Sequence, residues 1–233
     1  YANLMLGHFD RAQENLAIAS ATVERNPDDN RVLSRYLNMR ARNVIETGNC
    51  QETELKSTNS VEGQHTAWIT AVGMCAAKNL DMVTAIEALD RLSMKRKTTE
   101  ESGESYKAFE IQIHEKELGA LIKMMDGDFD RAVVLAREAS LIELENMSAP
   151  SGPPVPMKPA AEMYGEILAA AGRYNEAVDA FKAALNWVPN RTPSILGLSL
   201  AAAKSGDTEL AKEMEIKLQS TPGINSVKFT ASL

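Results

Sequence analysis

A short turn, glycine–x–aromatic–x–x–alanine, recurs along the chain and limits what it can fold into. It reads Gly7-His8-Phe9-Asp10-Arg11-Ala12 near the start, Gly127-Asp128-Phe129-Asp130-Arg131-Ala132 in the middle and Gly172-Arg173-Tyr174-Asn175-Glu176-Ala177 further on. A fourth copy, Gly206 to Ala211, keeps the glycine and the alanine. Glycine suits the left-handed backbone that ends a helix, and the residues after each turn resume a helical apolar period. After Gly172, for example, Ala177, Phe181, Ala184 and Leu185 share one helix face. Each copy therefore reads as the joint of a helical hairpin.

The copies also keep a distance. Gly172 to Gly206 is 34 residues, and so is Ala177 to Ala211, which is the spacing of a stacked helix–turn–helix unit. The best copy spans Lys158 to Pro189, with Gly165, Ala177 and Ala184 where two backbones approach. Leu168, Tyr174 and Phe181 are large where gaps need filling, and Pro189 is the stop. This stretch resembles the tetratricopeptide repeat superfamily, most strongly over residues 158–219. It departs from the family pattern at Ala161 and Glu215, where aromatics are usual. The resemblance implies an all-α fold, a right-handed α-solenoid of about five antiparallel helix pairs with the first pair truncated.

Along the chain, Tyr1–Gly7 is only half of a first helix, so residues preceding Tyr1 are expected in the full protein. Helices are predicted over 9–25, 30–47 and 64–78, with residues 50–62 a loop or a short second helix. Asp81 is placed to cap a further helix. Aligning Ala85 with Ala177 places Gly73 on Gly165, which supports the register. Lys95 to Gly103 reads as a charged linker, and Tyr106–Met125 as the next first helix. The step from Ala132 to Ala177 is 45 residues. The proline-rich segment accounts for the excess, as an extended connector, as a ligand for a proline-reading domain or as a strap across the groove. The chain thus divides into irregular repeats over 1–147, a connector over 148–159, a C-terminal repeat pair over 160–220 and a tail over 221–233. The tail alternates weakly through Ile224, Val227 and Phe229, as a cap on the last helix or a frayed end.

Composition narrows the function. With 44% hydrophobic residues the chain can build a continuous core. Its net charge of −7 argues against nucleic acid or an anionic membrane as partner, because phosphate binding needs clustered Lys and Arg. No apolar run is long enough to span a bilayer. Cys50 and Cys75 lack the spacing of a zinc site and read as reduced thiols, with a disulfide left open. His8, His65 and His114 form no ligand pattern, and the carboxylates, including Glu143 with Glu145 and Glu213 with Glu215, read as solvated helix faces. No nucleophile elbow or phosphate loop is present. The expectation is a protein that is not an enzyme and carries no cofactor or metal. The cytoplasm is its default compartment, and secretion stays open.

Proteins of the resembled family hold a peptide or helix along the concave surface of the first helices. The corresponding positions here are Thr70, Met74, Glu117, Leu121, Glu162, Glu166, Leu196 and Leu200, with Met124 beside them. They contain no basic clamp, so the implied peptide is apolar or basic, with Met74, Leu121 and Met124 as adaptable contacts. The chain's own neighbouring units are the other candidates to fill these positions. The reading is a protein–protein interaction scaffold or assembly subunit. Its alternatives are the helical region of a larger protein and a self-associating repeat.

Overall fold

The computed structural model describes residues 1–220 apart from 7, 52, 151 and 154. The turn motif explains the architecture at the level of single hydrogen bonds. Gly127, Gly172 and Gly206 have φ of +83°, +74° and +89°. In each case the residue after the glycine donates its N–H to a carbonyl five residues back: Asp128 to Lys123, Arg173 to Leu168 and Asp207 to Ala202. This closes one helix with a left-handed cap. Asp128 and Asp207 then accept the N–H of Arg131 and Leu210 and open the next helix. The same joint forms at Leu80-Asp81, where Leu80 takes the glycine's place at φ +61°, Asp81 donates to Ala76, and its side chain caps Thr84. A left-handed leucine costs on the order of 1 kcal/mol, and the joint forms without glycine.

The described residues form twelve helices: α1 (Ala2–Met5), α2 (Phe9–Arg25), α3 (Asn30–Thr47), α4 (Val61–Gln64), α5 (Thr66–Lys78), α6 (Met82–Glu101), α7 (Ser105–Met125), α8 (Phe129–Asn146), α9 (Ala160–Ala170), α10 (Tyr174–Trp187), α11 (Thr192–Ser205) and α12 (Thr208–Gln219). From α5 onward each helix packs on the next, and α3, α5, α7, α9 and α11 also touch in succession. A core runs between them from Ile69 through Leu118, Ile167 and Phe181 to Leu218. Close approach needs the small residues: a Cβ on Gly197 would come within 2.4 Å of the Phe181 ring, and one on Gly73 within 2.6 Å of Leu118.

Four expectations are corrected or resolved. The charged run after Lys95 is not a linker, because α6 continues to Glu101 with Thr99 buried, and the turn comes only at Ser102–Gly103. Cys50 and Cys75 are bonded to each other rather than reduced. The described residues of 50–60 form no helix, and the predicted helix from Gln64 is broken at His65 between α4 and α5. Between Pro156 and Pro159 the connector turns inward: Met157 is buried among Leu37, Trp68 and Val72, and Arg42 donates to its carbonyl at 2.6 Å. The expectations for the Gly7 joint and for the tail over 221–233 lie outside the described residues.

Candidate functional site

The successive helices α3, α5, α7 and α9 leave a narrow apolar slot between them. Along α5, Ala71, Met74, Cys75 and Lys78 share one face and form its floor. Val44 and Ile45 of α3, Leu121 and Met124 of α7, and Met163 and Ile167 of α9 supply the walls. Cys50 closes the slot beside Cys75, and Lys78, Lys158 and Glu166 make its polar edge. The free interior is about 60 Å³, room for a handful of waters or one thin apolar group.

The two lysines at this edge differ. The Lys158 ammonium donates to both oxygens of Glu166 at 2.6 Å and lies 3.8 Å from Glu162. Burial works against its charge, but Glu166 and Glu162 outweigh that and hold its pKa above the usual lysine value. Lys78 forms no ion pair within 4 Å among the described residues. Its side chain is surface-accessible yet crowded by protein, which depresses its pKa. Lys158 adds to the depression and Glu166 offsets part of it.

Behind the slot lies a buried ionic clasp. Arg191, just before α11, donates to Glu162 at 2.6 and 2.8 Å and to Glu46 at 2.9 and 3.0 Å. The Ser194 hydroxyl also donates to Glu162. The Arg191 and Glu162 side chains are 1% and 0% exposed. Burial alone pushes the Glu162 carboxyl up, but Arg191 and Lys158 outweigh it and the net pKa lies below the usual value. The Thr192 hydroxyl donates to the Met5 carbonyl at 2.8 Å, so α1 and α3 are tied to the start of α11.

A second buried cluster sits between α7 and α8. His114 Nδ1 and Glu117 Oε2 are 3.3 Å apart, both residues 1% exposed. The Glu143 carboxylate accepts the Ala160 N–H at 2.8 Å, at the start of α9. His114 Nε2, Glu117 Oε1 and Glu143 Oε1 have no hydrogen-bond partner among the described residues. Burial pushes Glu117 up, and pushes Glu143 up to about 8.

Of the positions expected to face a partner, Met74, Leu121, Met124 and Glu166 meet in the slot. Thr70, Glu117 and Glu162 lie one helical turn away on the same helices but are buried, with exposures of 0%, 1% and 0%. Thr70 bonds to its own helix at Thr66, and Glu162 is spent on Arg191. Leu196 is half-buried against the core of α11, away from the slot, and Leu200 is exposed. Lys78, Met163, Ile167 and the disulfide complete the slot and escaped the sequence reading. Lys78 had a signal, since it follows Met74 by one turn on the same face. Among the described residues no group of three or more His, Cys, Asp or Glu could hold a metal ion, and no helix is long and apolar enough to cross a membrane. Comparison with family models, curated proteins and solved structures finds no match for this chain.

Proposed function

We propose that this chain is a helical repeat module of the tetratricopeptide type, a right-handed α-solenoid that holds a segment of another protein against its first helices and performs no catalysis. The observation that carries this reading is the slot. Four helices from different parts of the chain direct apolar side chains, three of them methionines, into one opening with a charged edge. Such an opening accepts an apolar anchor side chain, and methionines adapt to its shape. The helices that frame it are packed on a continuous core, so little ordering entropy is lost when a partner docks. The disulfide between Cys50 and Cys75 favours action in an oxidising compartment, because such bonds persist there.

The test is crosslinking mass spectrometry after affinity capture from the source organism, with a Met124→Trp chain in parallel. Met124 is half-buried at the slot, so tryptophan there obstructs the opening with little demand on the core. The reading expects crosslinks from one other protein to Lys78 and Lys123 that fall at least fivefold in the variant, on the order of 1 kcal/mol. Capture of the same chain alone, or a partner retained equally by both chains, would refute it.

A further inference from the structure

We infer that the slot is also a binding site for a straight-chain aliphatic monocarboxylate, its chain among Met74, Leu121 and Met163 and its carboxylate against Lys78. This goes beyond a protein partner, and either reading can fail without the other.

The shape comes first. An apolar cavity large enough for benzene has a volume of about 150 Å³, whereas this one offers about 60 Å³ between its lining side chains. A ring does not fit, whereas the last two or three carbons of an unbranched chain do, at about 30 Å³ or less for each small group, with the rest of the chain lying along the opening towards Lys78. Flexible methionine walls follow a thin chain better than branched ones do.

The charge comes second. Of the three ionisable groups at the edge, Lys158 and Glu166 neutralise each other through two 2.6 Å bonds. That leaves Lys78, among the described residues, as the cation without an ion pair there, and its pKa is depressed by crowding and by Lys158. An incoming carboxylate restores the missing counter-charge, and an ammonium ligand would meet two lysines. A neutral alcohol gains only the chain. The slot therefore selects for an apolar chain carrying one negative end.

The experiment titrates the oxidised full chain, labelled at methionine methyl groups, with straight-chain acids from butanoate to dodecanoate, and reads the Met74, Met124 and Met163 signals by NMR. Affinity should tighten about fourfold for each added methylene until the slot is full, and then level off. Lys78→Met should weaken hexanoate about tenfold and leave hexan-1-ol unchanged, and hexylamine should not bind. Lys78 is exposed, so the variant keeps its fold, which a thermal melt checks. Any of three results overturns the inference: no saturable shift at these methyls, affinity that climbs through dodecanoate without a break and ignores Met124→Trp, or hexanoate binding equally to Lys78→Met. A further overturning result is an acetylated Leu-Glu dipeptide that binds more tightly than every straight-chain acid, which would make the site a peptide site alone. Crosslinks to a partner without hexanoate binding would sink this inference and leave the partner reading standing; the converse would do the opposite.

Discussion

Helices α2 and α10 follow nearly the same turn sequence and meet different surroundings. α10 buries Ala177, Val178, Ala180, Phe181 and Ala184, whereas α2 buries nothing completely and leaves Ile18 66% exposed. The Phe181 ring sits over two glycines, Gly165 and Gly197, which belong to the helices on either side. Between α2 and α3 there is instead an opening of about 500 Å³, edged by Gln13, Ser20, Glu24, Asn43 and Gln51. The cause is what stands beside each helix. α10 lies between α9 and α11, both long, whereas α2 has four-residue α1 on one side and α3 on the other. α3 in turn is followed by a loop where the repeat would supply a second helix. A repeat sequence specifies the helix and its apolar face, and burial depends on the neighbour.

The N-terminal region is instead held by ties across the chain: the Arg191 clasp, the Cys50–Cys75 bond and Met157. The largest expected effect comes from cutting the first. Arg191→Met removes the guanidinium that Glu46 and Glu162 share, leaves Glu162 only Lys158 at 3.8 Å, and should cost about 3–5 kcal/mol by urea denaturation. Adding Glu46→Gln and Glu162→Gln should recover part of that loss. A cost below about 1 kcal/mol would mean that the clasp does not fasten the two ends.

Packing is the next contrast. Phe181→Ala should cost about 3–5 kcal/mol through the cavity it leaves. Leu16→Ala, on the equivalent face of α2 but only half-buried, should cost about 1 kcal/mol or less. Equal costs would show that the opening beside α2 is closed in solution. Reducing the disulfide, or the double exchange Cys50→Ala with Cys75→Ala, releases a loop whose ends are 25 residues apart. It should cost about 3 kcal/mol on the chain-entropy view. Hydrogen exchange should then rise first in α3 and in residues 53–64, with α10 to α12 unchanged.

The same contrast marks what could be read in advance. The joints were legible because glycine in a left-handed turn and aspartate at a helix start act locally. At Leu80 the joint has no glycine, and Asp81 with the helical period was enough. The run after Lys95 misled because Lys, Arg and Glu on a solvent face are good helix formers, so charge density alone does not distinguish a linker from the exposed side of a helix. Glu117, Glu143 and Glu162 fit an outward period in sequence. Their burial is decided by residues far along the chain, Arg191 for Glu162 and the α9 start for Glu143. The cysteine pair was illegible for a related reason, since only the fold of α3 against α5 brings Cys50 to Cys75. Half of the slot was legible through Met74, Leu121, Met124 and Glu166, while Lys158 enters from the end of a connector whose path no period predicts, and Met163 from just beyond it.

The last contrast is in pH, and the two regions have opposite signs. Arg191 and Lys158 hold the pKa of Glu162 below its usual value. The stability it contributes is therefore present above the unfolded-state value and is lost as pH falls through the folded one. Burial holds Glu143 at about 8 against an ordinary 4.5. Its contribution is complete below pH 4.5, declines as the unfolded chain gives up that proton first, and is gone above about 8. Glu117 is raised in the same direction. Glu143→Gln keeps an acceptor for the Ala160 N–H but cannot ionise, so the variant should match wild type at pH 4 and exceed it by several kcal/mol, up to about 5, at pH 9. A variant equally stable or less stable at both pH values would show that Glu143 reaches water in the native state. Acid should therefore free α1 to α3 first and alkali should loosen the α8–α9 junction first, so hydrogen exchange at the two extremes should map two different regions. One region opening first at both would break the comparison.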